Sequence, residues 1–460
     1  MISNIFIIIL LSFIFISTSS FQENLFKLIL ESNEDKNVMI SPFGIYQVLT
    51  ILANGAVGQT QNEILETLFT NEKITNNLDI LNKINNNIIK ILSYLYSESN
   101  ISPSNYLDEF SYCKGDCNLI FNNVNGLFVR KEYKITDDFS SICEDFNISV
   151  SELIDADQIN HFCDVHTNGK IKRIIDFLDD NIILILINAI YFKGSWYEPF
   201  LKSLSKKLPF QNTNNSIIEV DTMYNFFEKN VMYYENNDIQ MISLPYKTEK
   251  LNFEMIIILP NKDKYFNSPL NYLKKENINL NELFSKLKET KNVHLYLPKF
   301  NYEFNIKLND ILKEMGIKLG FSTQADFIKI FNIKAIKIDK IIQKTFIKVD
   351  EEGTEAAAVT MIGMDNAAIM LEEKKEYYMY VNHSFIYAIV SKDIKDIEGN
   401  YLIPFIGAVN DIKGNQTDLD EINIDKKDGN YKNFLVHSNK GNKIIYNKIK
   451  AFMVFLLIFL

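Results

Sequence analysis

The segment Asp350–Thr360, with the sequence DEEGTEAAAVT, constrains this chain more than any other. It joins an acidic run to a glycine, which permits a sharp backbone turn, and then to alanines small enough to enter an existing sheet without overpacking it. Local propensity alone leaves a helix open, because Glu-Ala-Ala-Ala is a good helix former.

The alternation of side chains along a strand assigns each residue of this segment to a face. With Thr354 inward, the inward set is Ala356, Ala358, Thr360, Ile362 and Met364. The set predicted to face solvent is Glu355, Ala357, Val359, Met361, Gly363 and Asp365. Both charges then lie outside, whereas a slip of one residue would bury them.

The composition indicates one large domain. The chain has 460 residues, of which 47% are hydrophobic, and no Pro/Gly/Ser-rich linker or internal repeat divides residues 21–413. The formal net charge of −10 argues against nucleic acid as a partner, since such proteins present a positively charged surface.

Eight further motifs follow one another in a consistent order along the chain. They are Asn37–Ile45, Gly55–Thr60, Leu186–Trp196, Leu244–Tyr246, Ile258–Pro260, Leu297–Phe300, Ala325–Phe327 and Pro404–Asn410. Together with the segment 350–360 they resemble the serpin family over about residues 21–413. Each motif alone is weak, but the whole series in family order is very specific.

The resemblance implies an α+β fold: three β-sheets, including a large central mixed sheet, surrounded by eight or nine helices, with an exposed reactive-centre loop at about residues 351–376. Leu186–Trp196 is similar to the central strand of the large sheet. The hinge of the loop would consist of Glu351, Glu352, Gly353, Thr354, Glu355, Ala356, Ala357 and Ala358.

The resemblance also implies a spring mechanism of inhibition, in which the cleaved loop enters the large sheet and carries the acylated protease to the opposite pole. Family spacing from Gly353 places the scissile bond at Ala367–Ala368, with Met364 and Met370 as alternatives. A small residue before the cut suits an elastase-like or subtilisin-like serine protease, and a cysteine protease is the alternative target. The fourteen residues from Thr354 to Ala367 would span about 48 Å as a strand.

Five residues resemble those that secure the opening of the large sheet in serpins, and we call them the gate residues: Ser41, Asn188, Trp196, Lys299 and Gln343. An ion pair between Lys299 and Glu351 is implied. Two positions depart from the family pattern, since Gly44 replaces a serine and Gln343 a histidine. The lost hydroxyl predicts a weaker gate, and it leaves open a non-inhibitory chaperone, carrier or storage protein.

Residues 1–20 resemble a secretory signal peptide, with an apolar run from Ile5 to Ile16 followed by small residues; a retained anchor is the alternative. Secretion agrees with the glycosylation sequons. The candidates are Asn100, Asn147, Asn214 and Asn415, whereas Asn382 adjoins a predicted core strand.

The tail at residues 414–460 is polar and then ends in ten apolar residues, too few to span a membrane. Small residues near Asn439 followed by a polar spacer match a glycolipid (GPI) attachment signal, with Ser438 and Gly441 as rival sites. The alternative is a simply secreted protein with an apolar terminus.

Four cysteines, Cys113, Cys117, Cys143 and Cys163, permit three pairings in an oxidising compartment, and we favour Cys113–Cys117 and Cys143–Cys163. No enzyme motif or metal-ligand spacing is present in the sequence. We therefore expect a monomer that is not an enzyme, has no cofactor or metal, and contacts a membrane only through a lipid anchor.

Overall fold

The computed structural model describes residues 20–69, 76–99, 119–248, 251–276, 278–354 and 375–412. Within these residues the helices are α1 (Phe21–Glu31), α2 (Pro42–Gly55), α3 (Gly58–Leu68), α4 (Asn77–Ser99), α5 (Asp137–Asp145), α6 (Ala156–His166), α7 (Lys262–Tyr265), α8 (Pro269–Glu276), α9 (Leu280–Ser285), α10 (Asn309–Glu314) and α11 (Ile328–Phe331). The described residues therefore contain eleven helices, where eight or nine were expected. The difference arises because four of the helices, α7, α9, α10 and α11, are short segments of four to six residues.

The strands of the described residues form three sheets, as expected. They are β1 (Val38–Ile40), β2 (Leu119–Val129), β3 (Ile148–Glu152), β4 (Leu184–Ser195), β5 (Lys206–Gln211), β6 (Ile217–Phe227), β7 (Val231–Glu235), β8 (Ile239–Pro245), β9 (Phe253–Pro260), β10 (Lys288–Thr290), β11 (Val293–Pro298), β12 (Phe300–Lys307), β13 (Lys340–Val349), β14 (Gly353–Thr354), β15 (Tyr377–Tyr380), β16 (Phe385–Lys395) and β17 (Tyr401–Val409).

The mixed sheet has six strands in the order β12-β13-β14-β4-β2-β3. The second sheet is antiparallel and has seven strands, one more than the mixed sheet, in the order β1-β17-β16-β9-β8-β7-β10. The third sheet has four strands in the order β15-β11-β6-β5. In the mixed sheet β13 runs parallel to β4 and β2 runs parallel to β3. The predicted central strand is β4, which lies in the interior of the sheet.

The sequence LILINAIYFKGS explains why β4 occupies that place, since a nearly continuous apolar run suits a strand covered on both faces. Leu184, Leu186 and Ile190 point into the main hydrophobic core. Ile185 and Ile187 point to the other face, where they pack in a second cluster with residues of α6.

The N-terminus of α1 is fixed by a capping box. The Ser20 side chain accepts a bond from the Glu23 backbone N–H, and the Glu23 carboxylate accepts the Ser20 N–H at 2.9 Å. Both residues are buried, and the same carboxylate accepts the Leu280 N–H at 2.5 Å. Ser20 is therefore part of the folded domain.

Candidate functional site: a strand entry point in the mixed sheet

The hinge forms a tight turn that sends the chain back into the mixed sheet. At the end of β13 the Asp350 N–H donates to the Gly353 carbonyl at 2.9 Å, and the Gly353 N–H donates to the Asp350 carbonyl at 3.3 Å. A Cβ on Gly353 would lie 2.1 Å from the Gly194 carbonyl oxygen, so only glycine fits where the turn meets β4. The chain then continues as the two-residue strand β14.

Strand β14 lies between β13 and β4 at one end of the line along which these two strands meet, which we call the seam. Thr354 pairs antiparallel with Val349 on one side and with Gly194 on the other. Below β14 the strands β13 and β4 pair directly in parallel, from Lys340↔Ile185 to Phe346↔Tyr191. The seam is therefore open at the upper end and closed at the lower end.

Thr354 is completely buried, which confirms the prediction that its side chain points inward. Its hydroxyl lies 2.7 Å from the hydroxyl of Tyr246. The Tyr246 ring stacks on Trp196 at 4.8 Å between centroids, and the Trp196 indole N–H donates to the Asp350 carbonyl at 3.0 Å. Burial raises the pKa of Tyr246 well above its ordinary value, so its hydroxyl stays protonated.

The three consecutive carboxylates of the turn, Asp350, Glu351 and Glu352, are each paired with a lysine. The distances are 3.1 Å for Lys348–Asp350, 2.6 Å for Lys299–Glu351 and 2.5 Å for Lys202–Glu352. The Lys299–Glu351 ion pair implied by the resemblance to serpins is therefore present.

Glu351 is the buried member of this set, with 3% of its surface exposed. Its carboxylate also accepts the Ser205 hydroxyl at 2.7 Å, and its carbonyl accepts the Phe200 N–H at 2.8 Å. Burial acts to raise the pKa of Glu351, but the bonds from Lys299 and Ser205 outweigh it, and the pKa lies below its ordinary value. The Glu351 carboxylate is thus held in its charged form.

The other gate residues meet in an amide cluster beneath the closed part of the seam. Gln343 on β13 donates to the Asn188 side chain on β4 at 2.6 Å and to the Ser41 carbonyl at 3.1 Å, and it accepts the Ser41 N–H at 3.0 Å. Asn188 in turn donates to Asn123 at 2.8 Å and to Asn125 at 2.7 Å. Since all these residues are buried, the cluster ties β13 to β4 in a place that water does not reach.

Gly44, which lacks the hydroxyl of the family's serine, lies directly beside the Asn188 side chain of the amide cluster. A Cβ on Gly44 would lie 2.5 Å from the Asn188 side-chain oxygen, because the Asn188 amide occupies that space. The Gly44 N–H donates to the Ser41 hydroxyl at 3.1 Å, which caps α2. The small residue at position 44 therefore makes room for the amide cluster.

Sequence reasoning missed several members of the site. Asn123 and Asn125 interrupt the apolar strand β2, and buried amides in such a strand indicate a polar partner across the sheet. Lys202 and Ser205 carry no local signal, since they reach the hinge through tertiary contacts, and Tyr246 was noted only as the end of the motif Leu244–Tyr246.

Glu355, Ala356, Ala357, Ala358, Ala367 and Ala368 lie outside the described residues, as do Cys113, Cys117, Asn100 and Asn415. Asn214 is exposed, and its side-chain oxygen accepts the Ser216 N–H at 2.8 Å. Asn147 is half-buried just beyond α5.

The predicted Cys143–Cys163 disulfide is wrong, because both residues are free thiols. Cys143 belongs to the main core and Cys163 to the second cluster, so the mixed sheet separates them. Burial raises the pKa of each thiol to about 12, which keeps both protonated and unreactive.

Among the described residues, no helix has the length and apolarity to cross a membrane, and no group of three or more histidine, cysteine, aspartate or glutamate side chains could hold a metal ion.

Comparison with known proteins agrees with this architecture. A sequence profile described as Serpin (serine protease inhibitor) matches residues 17–412. An uncharacterized serpin-like protein of Thermococcus kodakarensis is 30% identical over 383 residues, which cover 82% of each chain. Serine proteinase inhibitor 1 of variola virus is 30% identical over 392 residues, covering 84% of this chain and 94% of that protein.

Among solved structures, the native state of the thermophilic serpin tengpin matches with a TM-score of 0.70 and 25% identity, over 86% of this chain and 93% of that one. The chain therefore belongs to the serpin family, and it has the α+β serpin fold with three sheets.

Proposed function

We propose that this chain inhibits an extracellular serine protease as a suicide substrate, by cleavage near Ala367–Ala368 and insertion of the loop into the mixed sheet. The observation that carries the proposal is β14, because the start of the hinge already lies as a strand between β13 and β4. The name of the variola virus relative, a serine proteinase inhibitor, gives further support. On this proposal the chain supplies the attacked bond and no catalytic residue.

The register of β14 predicts where the rest of the loop would go. Since Thr354 pairs antiparallel with Gly194 and Val349, residue 354 + n would fall opposite residues 194 − n and 349 − n. Nine steps reach Ile185 and Lys340, which already pair with each other. Both counts therefore place Gly363 at the lower end of the seam.

Insertion would replace one strand interface by two. The closed part of the seam is a parallel β13–β4 ladder, and a strand entering from β14 would run antiparallel to both neighbours. Antiparallel pairing is slightly more stable per residue than parallel pairing. Each additional hydrogen bond contributes about 0.5–1.5 kcal/mol, so the inserted form is the more stable one.

The same register gives inward residues specific neighbours. Six steps from Thr354 place Thr360 opposite Asn188 and Gln343, the two residues whose side chains bond across the seam. Entry of Thr360 would separate these two amides, and its hydroxyl can donate to one and accept from the other.

Outward residues would also acquire partners, and in this register not all of them would face solvent. Glu355 would fall between Lys193 and Lys348, which suits its charge. Val359 and Met361 would instead lie beside Ala189 and Ile187, which are buried in the second cluster, so their apolar character has a reason.

The sequence around the cut supports the choice of target. Alanines at positions 367 and 368 fit the small binding pockets of elastase-like and subtilisin-like serine proteases. A trypsin-like enzyme would require lysine or arginine, and the first after the cut is Lys374.

Incubation with a panel that contains an elastase and a subtilisin tests the proposal. We expect a covalent complex that survives denaturing electrophoresis, a released C-terminal fragment that begins at Ala368, and a higher melting temperature for the nicked protein. Clean cleavage that leaves every protease active, with no rise in melting temperature, would support the non-inhibitory chaperone, carrier or storage alternative.

We also propose that the protein is secreted, glycosylated at its exposed sequons and attached to the cell surface through a GPI anchor. Because Ser20 caps α1 from a buried position, cleavage of the signal peptide should occur before Ser20 rather than after it. N-terminal sequencing tests the cut. Release from membranes by a phosphatidylinositol-specific phospholipase tests the anchor, and recovery of the intact apolar tail by mass spectrometry would exclude it.

A further inference from the structure

A cleft of about 260 Å³ lies beside the hinge, and the function proposed above does not use it. One wall is the segment 196–200, which leaves the end of β4, and the other is formed by β7, β8, β9 and the turn that precedes β7. The residues that line it are Trp196, Tyr197, Glu198, Phe200, Phe227, Asn230, Val231, Met232, Ser243, Leu244, Pro245 and Glu254.

The walls of the cleft are mainly aromatic and aliphatic. Trp196, Phe200, Phe227 and Leu244 are all buried within the fold while still bordering this space. Mostly apolar walls with a few polar groups are typical of small-molecule sites, and the volume lies just below their usual lower limit of about 300 Å³.

The charge of the lining is negative. Glu198 is exposed at the cleft, and none of the described lining residues is basic. Glu254 accepts the Ser243 hydroxyl at 2.5 Å and is neutralised by an ion pair with Lys392, which is not a lining residue. Glu198 is therefore the unbalanced charge, and it disfavours an anionic ligand.

Segment 196–200, which carries Glu198, also forms hydrogen bonds with the hinge. The Trp196 N–H donates to the Glu352 carbonyl at 3.0 Å, and the Phe200 N–H donates to the Glu351 carbonyl at 2.8 Å. The Trp196 indole donates to the Asp350 carbonyl at 3.0 Å. A molecule packed against Trp196 and Phe200 would restrict the two residues whose backbone keeps the turn in place.

We propose that this cleft binds a small aromatic amine, with its ring against Trp196, Phe200 and Phe227 and its ammonium group toward Glu198. The occupied cleft holds segment 196–200 in its present conformation and stabilises the docked hinge. Binding itself is independent of inhibition, whereas the effect on the reactive-centre loop rests on the proposed function.

Trp196 is the only tryptophan of the chain, so its fluorescence reports on the cleft directly. The probe is 2-phenylethylamine, and the matched probe of opposite charge is 3-phenylpropionate. We expect a saturable change in Trp196 emission with the amine and binding of the carboxylate that is weaker by about tenfold. Met232→Phe, which narrows the cleft, should reduce the amine response to a linear, non-saturable one.

Glu198→Gln tests the charge without disturbing the core, because Glu198 is exposed, and Glu219→Gln on β6 is an exposed control away from the cleft. Glu198→Gln should bring the two probes to within about threefold of each other, and Glu219→Gln should leave their difference unchanged. Equal affinity of the wild-type protein for both probes, or a saturable response that survives Met232→Phe, would overturn the proposal.

The regulatory part has its own readout. The amine at saturating concentration should lower the ratio of covalent complex to cleaved protein in the wild type and not in Met232→Phe. If no complex forms even without amine, the inhibitor function fails while the fluorescence titration still decides whether the cleft is a site. If the complex forms and the amine binds without changing this ratio, the coupling to the hinge is wrong.

Discussion

The upper and lower parts of the seam are built from the same two strands, β13 and β4, yet they are held together differently. In the upper part β14 already separates the strands, and paired carboxylates of the hinge hold the turn. In the lower part the strands pair directly, and Gln343 bonds to Asn188 across them. On the proposed function, the upper part would be the start of loop insertion, and the lower part would oppose its completion.

The largest effect is expected from a charged side chain at position 354, in the upper part of the seam. Thr354→Arg would place a permanently charged group in a fully buried position beside Tyr246. We expect β14 to leave the seam and the covalent complex to fall by at least about tenfold, equal to roughly 1.4 kcal/mol or more. Gel analysis with a cleaving protease measures this ratio. Thr323→Arg, at an exposed position, is the control, and unchanged inhibition by Thr354→Arg would refute the proposed start of loop insertion.

The second prediction concerns the lower part of the seam. Gly44→Ala would push the Asn188 amide away and break its bond with Gln343. Overpacking of this kind lowers the free energy of unfolding by about 1–3 kcal/mol, which denaturant unfolding would measure. Gly320→Ala is a matched control, because its Cβ would meet neighbours at an ordinary 3.5 Å. Equal stability of the two variants would mean that the amide cluster does not brace the lower part.

The third prediction uses pH to distinguish the contribution of the upper part of the seam from that of the lower part. The pKa of Glu351 lies below its ordinary value of 4.5, so its stabilising effect is full above that pH and is lost as the pH falls through the lowered pKa. The amides of the lower part do not titrate. Acid should therefore loosen the hinge first, seen as faster proteolysis near residue 353.

A lysine variant checks the cause of this pH dependence. Lys299→Met should remove most of this pH dependence. It should also lower the free energy of unfolding by about 1 kcal/mol at neutral pH, allowing for the partial exposure of Lys299. The exposed pair Lys313–Asp310 supplies the control Lys313→Met, which should leave the acid response intact. Persistence of the full pH dependence in Lys299→Met would remove Glu351 as its source.

The smallest effect is expected from the outer face of the upper part. Lys348→Glu would place like charges beside Glu355 during insertion, and exposed pairs of this kind are worth roughly 0.2–1 kcal/mol. The ratio of complex to cleaved protein should fall by a factor of about two to five. Lys229→Glu, an exposed charge reversal elsewhere, should have no effect on that ratio.

Local signals predicted the upper part of the seam well. The pleat of the segment that begins at Thr354 predicted which way its side chain points, and Gly353 predicted a turn, whereas the fold was implied by the resemblance to serpins. These predictions succeed because strand alternation and a glycine turn depend on near neighbours along the chain.

The lower part was less accessible from the sequence, because its contacts join residues far apart in the chain. Gly44 was predicted to weaken the gate because it lacks a hydroxyl, and nothing near it in the sequence shows that the Asn188 side chain occupies the space beside it. Cys143 and Cys163 read as a pair, although the mixed sheet lies between them. Distances across a sheet are not encoded in spacing along the chain.

The close approach of Gly353 to Gly194 has a consequence for how the loop can vary. If the entering strand slipped by one position, a side chain would take the place of Gly353 and collide with the backbone of β4. The first pairing is therefore fixed before any later residue arrives. On the proposed function, the alignment of the inserted loop would be set upstream of the residues that a protease binds, so the sequence around the cut could change without altering that alignment.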